Sequence, residues 1–136
     1  MSYCINRAWA EVNIDNIEHN VREIKKIIDK KVEICGVVKA DAYGHGVLEI
    51  AKTLIKNGVT FLAVSMIGEA IQLREKGINV PILVLGYTDP RRSDEIILNN
   101  VTQTVFSHDL AMALSKSAVK LEKDVKIHIK DRKSVV

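Results

Sequence analysis

Aromatic residues are scarce in this sequence, since Phe, Trp and Tyr together make up 4% of its 136 residues. A nucleic-acid-binding surface combines a clustered basic face with aromatic side chains that stack on bases. The net charge here is only +3, and the basic residues are spread among acidic ones. The composition therefore argues against nucleic acid as a partner.

Cysteines and long apolar runs are also few. The only two cysteines, Cys4 and Cys35, indicate no disulfide framework, and Cys35 is expected to pack as a small apolar residue. No apolar run approaches the ~20 residues of a membrane helix, and Arg7 and Glu11 interrupt any signal-peptide core. His19 has no partner at metal-ligand spacing, so no metal site is predicted. A reducing cytoplasm fits this pattern best.

What the sequence does contain, after residue 32, is a regular alternation of short apolar runs and amphipathic segments. The runs predict strands at 32–36, 60–64, 82–85, 103–106 and 125–130, and the segments predict helices at 47–56, 67–76, 90–99 and 108–121. Strands without polar alternation, separated by helices, are typical of a parallel sheet. The sheet could be an open doubly wound sheet of five strands, or the first half of an eight-stranded barrel, which needs about 250 residues in full.

Residues before this alternation predict one more strand and a helix. Residues 8–14 alternate enough to predict a strand. Asp15 with Glu18 forms a capping-box pattern for the following helix. Farther along, Ser65, Asp89 and Ser107 are the expected N-caps of later helices.

The chemically most informative stretch is Val-Val-Lys-Ala-Asp-Ala-Tyr-Gly-His-Gly at 37–46. Lys39 is expected at the carboxyl end of a buried strand, where α/β folds build active sites. Desolvation there would lower the pKa of the amine and favour Schiff-base chemistry, although a strand-end lysine can also extend to solvent. Gly44 and Gly46 permit close backbone approach, and the next helix could offer N–H groups to an anion. A simple strand-to-helix turn is the alternative.

This stretch resembles the pyridoxal-phosphate signature of alanine racemases. The resemblance runs in register from about residue 5 to residue 130 and includes 7–12, 81–86 and 126–130. It implies an α/β fold that is the N-terminal half of a (β/α)8 TIM-type barrel, with parallel strands alternating with helices. Residues 1–130 would form this partial pyridoxal-phosphate-binding domain, and residues 131–136 a non-native tail.

The resemblance also implies roles for individual residues. Lys39 would carry pyridoxal 5'-phosphate as a Schiff base and act as the catalytic base on one face of the substrate. Tyr43 would contact the cofactor phosphate, and Val37 and Leu85 would lie near its ring. Lys130 matches a position that is often a carbamylated lysine, although a plain strand-end lysine is equally compatible with the pattern.

The function implied is interconversion of L-alanine and D-alanine for bacterial peptidoglycan, by a cytoplasmic homodimer. The alternatives are a serine-preferring racemase, a non-catalytic barrel that handles pyridoxal phosphate, and a small doubly wound sheet that binds a phosphorylated ligand. In the family, the second base and the arginine facing the pyridine nitrogen belong to segments beyond residue 136. The chain by itself is therefore expected to be inactive as a racemase.

The last six residues, Asp-Arg-Lys-Ser-Val-Val, stand where the family continues with a Thr-Gly-Met-x-Arg segment. They match the translation of a common sequencing adapter. We therefore expect adapter read-through at 131–136, with a natural gene that continues from about Lys130.

Overall fold

The computed structural model describes residues 8–131 as alternating helices and strands. The helices are α1 (Ile14–Ile27), α2 (Lys39–Gly44), α3 (Val47–Lys56), α4 (Ile67–Glu75), α5 (Ser93–Leu98) and α6 (His108–Leu121), with a 3-10 turn at Pro90–Arg92. The strands are β1 (Cys35–Val37), β2 (Phe61–Val64), β3 (Ile82–Val84), β4 (Thr102–Val105) and β5 (Ile127–Ile129). Within the described range, no helix has the length and apolar character needed to cross a bilayer.

The order of the strands distinguishes the two predicted architectures, an open doubly wound sheet and half of an eight-stranded barrel. The sheet runs β1-β2-β3-β4-β5, and every neighbouring pair is parallel. A doubly wound sheet reverses its strand order at a switch point, whereas a barrel adds each new strand beside the previous one. These strands are in simple sequential order, so the predicted half of a (β/α)8 barrel is confirmed.

The core lies between the sheet and its helices. Leu62, Val64, Ile82 and Val84 are at most 1% exposed and belong to the same apolar cluster as side chains of α4, α5 and α6. Side chains alternate between the two faces of a strand, so neighbouring positions must face the barrel interior. This interior face is more open, with Val37 42% exposed at the end of β1.

The strand predicted at 8–14 is wrong. Residues 8–13 belong to no strand, and Ile14 already begins α1. A strand needs a neighbouring backbone for its hydrogen bonds, and the sheet of the described residues begins only at β1. Trp9 is 80% exposed, while Val12 and Ile14 pack against the core without joining a strand.

Two of the predicted helix caps are also wrong. The N-cap of α1 is Asn13, whose side chain accepts the N–H of Asn16 at 3.2 Å, and Asp15 instead lies in the first turn. The N-cap of α4 is Met66, not Ser65, and its side chain makes no capping bond. The remaining two caps are confirmed: Asp89 accepts the N–H of Arg91 at 2.9 Å, and Ser107 accepts the N–H of Leu110 at 3.5 Å.

The C-terminal end of α4 is held by Arg74. Its guanidinium donates to four backbone carbonyls that lie near the starts of β3 and β4, at distances between 2.7 and 3.0 Å, from Ile78, Val80, Asn99 and Asn100. Partial burial lowers the pKa of Arg74. Arg74 therefore stabilises the end of the sheet where the strands begin, opposite the carboxyl edge.

Asp89, in the loop after β3, gives the fold a testable response to acid. Hydrogen bonds from the side chain and backbone of Arg91 lower the pKa of Asp89 from 3.8 to about 2. Because the folded state binds this proton more weakly than the unfolded state, the stabilisation is present above the unfolded pKa. It is lost as the pH falls toward 2.

We therefore expect a carbon-13 NMR titration of the Asp89 carboxyl to give a midpoint near 2. In Arg91→Gln the main cause of the shift is removed, and the midpoint should rise toward its ordinary value. A midpoint that is the same in both chains would contradict this account of the loop.

Candidate active site

Lys39 lies at the carboxyl edge of the sheet, as its place in the sequence predicts. The N–H of Val38 donates to the carbonyl of Ala63 at 2.9 Å and extends the β1–β2 ladder by one residue, and Lys39 comes next. The buried strand expected before Lys39 is buried only in part. Lys39 itself is half-buried, and Val37 beside it is partly exposed on the barrel interior.

The segment after Lys39 is a left-handed turn of helix, where the sequence had suggested an ordinary loop. Residues 40–43 have φ between 51° and 57°, and Gly44 continues with φ 82°. For residues other than glycine, this conformation costs roughly 1–2 kcal/mol each. Ala40, Ala42 and Tyr43 have no side chain that favours it. Such strain persists only where surrounding contacts fix the backbone, and it clusters at functional sites.

Glu69, on the first turn of α4, supplies one of those contacts. One carboxylate oxygen, Oε1, accepts the N–H of Ala40 at 2.6 Å. The other oxygen, Oε2, accepts the N–H groups of Ser65 at 2.7 Å and Met66 at 3.0 Å. A single carboxylate thus joins the left-handed turn to the end of β2 and the start of α4.

Asp41 fixes the other end of the turn. Its Oδ1 accepts the N–H of Val47 at 2.7 Å, and its backbone carbonyl accepts the N–H of Gly46 at 3.0 Å. The first N–H of α3 is therefore already bound to a carboxylate. Asp41 places negative charge at the start of α3, so the Val47 N–H is not open to a second anion, and anion binding by the N–H groups that follow stays a prediction.

Tyr43, Val37 and Leu85 lie at the same edge as Lys39. The Nζ atom of Lys39 is 5.9 Å from the centroid of the Tyr43 ring, within the range of a cation–π contact. The N–H of Leu85 donates to the carbonyl of Val64 at 2.9 Å, which places Leu85 at the corresponding end of β3. Leu85 is 39% exposed and Tyr43 59% exposed, so they offer an apolar side chain and a phenol to a ligand.

Lys130 lies at the far side of the sheet. Its N–H donates to the carbonyl of Val105 at 3.0 Å, just after β5, and its side chain is exposed. Strands β2, β3 and β4 stand between it and Lys39. The structure therefore brings Lys130 to the carboxyl edge without joining it to Lys39.

Reasoning from the sequence missed three residues at this edge: Glu69, Tyr87 and Phe106. The rings of Tyr87 and Phe106 form a tilted pair with centroids 6.2 Å apart, after β3 and β4 respectively. Both rings are more than half exposed. Tyr87 lies two residues after a predicted strand and Phe106 ends one, the same signal that identified Lys39, but an aromatic side chain carries less chemical information than an amine.

Two cavities lie against the sheet of the described residues. One cavity of about 330 Å³ lies beside α1 and includes Val37 and Tyr43 in its lining. Another, of about 250 Å³, lies where the strands begin, near Thr60, Pro81 and Thr102. Lys39 belongs to the lining of neither of these two cavities.

The sequence of the chain matches a known protein family. Residues 12–131 match the family model described as alanine racemase, N-terminal domain. The alanine racemase of Clostridium novyi is 52% identical over 121 residues, which cover 89% of this chain and 31% of that protein.

Solved structures agree in fold. Alanine racemase of Clostridium difficile in complex with cycloserine superposes with a TM-score of 0.87 at 44% identity, over 90% of this chain and 33% of that one. A histidine racemase from Leuconostoc mesenteroides superposes with a TM-score of 0.78 at 32% identity, over 84% of this chain and 30% of that one. The chain spans about a third of the length of these relatives. On the extent of the family match, the chain belongs to the alanine racemase family, within its N-terminal domain.

Proposed function

We propose that Lys39 binds pyridoxal 5'-phosphate covalently, and that the chain serves the interconversion of L-alanine and D-alanine. The observation that carries the proposal is the position of the Lys39 amine at the carboxyl edge of a barrel-type sheet, on a backbone held by a strained left-handed turn. The family match supports the same chemistry.

The residues at the edge fit the cofactor in chemical type. Pyridoxal phosphate presents an aldehyde, an aromatic ring and a phosphate, which call for an amine, apolar surface and a hydrogen-bond donor. Lys39 supplies the amine, Val37 and Leu85 supply partly exposed apolar side chains, and Tyr43 supplies an exposed phenol hydroxyl. We assign these four residues to cofactor binding on that basis.

The proposed chemistry divides between the cofactor and the chain. When bound, pyridoxal phosphate supplies an electron sink that stabilises negative charge at the substrate Cα. Once the substrate amine has displaced it, Lys39 Nζ would be a free amine able to take the Cα proton from one face, or return it there, as a general acid–base. Lys130 lies across the sheet from Lys39. Its carbamylation stays a prediction.

Alanine is the substrate we propose, because the relative at 52% identity is an alanine racemase. A second candidate is another amino acid, since a histidine racemase shares the fold at 32% identity. Serine preference, a non-catalytic cofactor-handling role, a cytoplasmic location and a homodimeric assembly remain predictions.

Reductive trapping tests the cofactor site directly. The chain is incubated with pyridoxal phosphate, reduced with borohydride, digested and analysed by mass spectrometry. We expect a single dominant adduct on Lys39. An adduct spread over exposed lysines such as Lys52 and Lys120 would contradict the assignment.

A chimera tests the substrate. Residues 8–130 replace the corresponding segment of the Clostridium novyi enzyme, and racemisation of alanine, serine and histidine is compared. We expect kcat/KM to be highest for alanine. A preference for another amino acid would refute the proposed substrate while leaving the cofactor site intact.

A further inference from the structure

We propose that Glu69 is a positioning residue for Lys39, acting through the backbone N–H of Ala40. The inference rests on the proposed function, because it assigns Glu69 a part in placing the amine that binds the cofactor. Glu69 itself touches neither the amine nor the reacting atoms in this account. Its effect passes through the peptide that joins residues 39 and 40.

The backbone of Lys39 is held on both sides by long-range hydrogen bonds. Before it, the N–H of Val38 donates to the carbonyl of Ala63 at 2.9 Å. After it, the N–H of Ala40 donates to Glu69 Oε1 at 2.6 Å. The first bond belongs to the sheet ladder, which any barrel strand would make. The second bond depends on one side chain.

This second bond has an energetic role at the start of the turn. Ala40 has φ 51° and ψ 54°, a conformation that alanine does not favour on its own. Hydrogen bonds to a charged group are roughly twice as strong as neutral ones. Without this bond, Ala40 can relax toward an ordinary right-handed conformation, and the Lys39 side chain would then leave from a differently oriented backbone. A displacement of about 1 Å at a reacting group can cost on the order of a hundredfold in rate.

Capping of α4 is the competing explanation for Glu69, and the two oxygens separate these roles. Oε2 accepts from Ser65 and Met66 at the start of α4, which is a capping contact, whereas Oε1 serves only Ala40 among the described hydrogen bonds. The cap requires only the bonds to Ser65 and Met66, so the bond between Glu69 Oε1 and the Ala40 N–H is additional to capping. Loss of the cap should lower stability, while loss of the Ala40 bond should change Lys39.

The test follows Ala40 and Lys39 separately in the full chain. Amide hydrogen exchange by NMR reports on the Ala40 N–H, and borohydride trapping with pyridoxal phosphate reports on Lys39. In Glu69→Ala we expect Ala40 to exchange about tenfold faster, and the cofactor concentration for half-maximal trapping to rise about tenfold, as expected for a lost bond to a charged group. Glu69→Gln keeps one acceptor oxygen, so its trapping should follow whatever protection Ala40 retains.

Two control variants separate positioning from stability and from charge. Arg74→Ala removes four hydrogen bonds at the other end of the same helix and should lower the urea midpoint without affecting trapping or Ala40 exchange in the folded state. Glu49→Gln removes a carboxylate from an exposed position on α3, where it pairs with Lys52 at 3.5 Å, and should change neither readout.

Equal losses of trapping in Glu69→Ala and Arg74→Ala would overturn the proposal, because stability would then explain both. Unchanged Ala40 exchange in Glu69→Ala would overturn it as well. If the unsubstituted chain traps no cofactor on Lys39, the proposed function fails, and Ala40 exchange still tests whether Glu69 holds the turn.

Discussion

Replacing Lys39 with arginine is expected to abolish specific covalent attachment of pyridoxal phosphate. Arginine keeps the positive charge and a long side chain, but its guanidinium stays protonated and cannot act as the amine in a Schiff base. Lys39 is only half-buried and begins a turn that backbone bonds hold, so the fold should persist. After borohydride reduction, mass spectrometry should show no dominant adduct on the variant chain.

The matched control is Lys52→Arg on α3, which changes an exposed lysine paired with Glu49. This variant should trap the cofactor on Lys39 as the unsubstituted chain does. In the chimera with the Clostridium novyi enzyme, Lys39→Arg should lower L-to-D conversion of alanine by at least the 10²–10⁴-fold typical of a lost general acid–base. A Lys39→Arg chain that still carries one dominant adduct would show that another lysine is the attachment site.

The barrel-type sheet was predictable because its signals are local. Strands β1, β2 and β3 are short apolar runs, and the helices between them each bury one side, so alternation along the chain indicates a parallel sheet. The ends of the strands shifted by at most three residues; the strand predicted at 125–130, for example, shortened to Ile127–Ile129. The strand at 8–14 failed because a strand forms only against a partner, and the sequence pattern carries no information about the partner.

The site was predictable only in part. The place of Lys39 follows from its strand and from the resemblance of its motif to a known family. The left-handed turn does not follow, since Ala40 and Ala42 give no sign of positive φ and tertiary contacts impose it. Its partner Glu69 lies 29 residues farther on. In the sequence Glu69 looks like any acidic residue in the first turn of a helix, where negative charge is common.

Gly86 connects the stability of the sheet to this site. It follows Leu85 at the end of β3, and its N–H donates to the carbonyl of Ser65 at 3.1 Å. Its own carbonyl accepts from the amide of Gln103, a fully buried side chain, at 2.9 Å. Gly86 is therefore held from two sides. Ser65 in turn donates to Glu69, the carboxylate that binds Ala40.

Gly86→Ala should accordingly destabilise the chain and weaken the cofactor site together. An added Cβ would lie 2.5 Å from the carbonyl oxygen of Ser65, so the backbone must move. Moving it strains or breaks the bonds to Ser65 and Gln103, and overpacking with a disturbed buried hydrogen bond costs about 3 kcal/mol. Urea unfolding should show this loss, and trapping on Lys39 should require more cofactor because the displacement of Ser65 reaches Ala40 through Glu69.

Gly68→Ala, two residues into α4, is the matched control. A Cβ added at Gly68 meets no heavy atom within 4 Å, and alanine is favoured over glycine in a helix. This variant should be neutral or more stable by up to about 1 kcal/mol, with unchanged trapping. Both changes add the same methyl group, so the contrast comes from the contact with the Ser65 carbonyl at Gly86 and from the helix propensity gained at Gly68. Equal free energies of unfolding for the two variants would show that the backbone at the carboxyl edge accommodates the added Cβ without cost. Gly86 would then not constrain the backbone around Lys39.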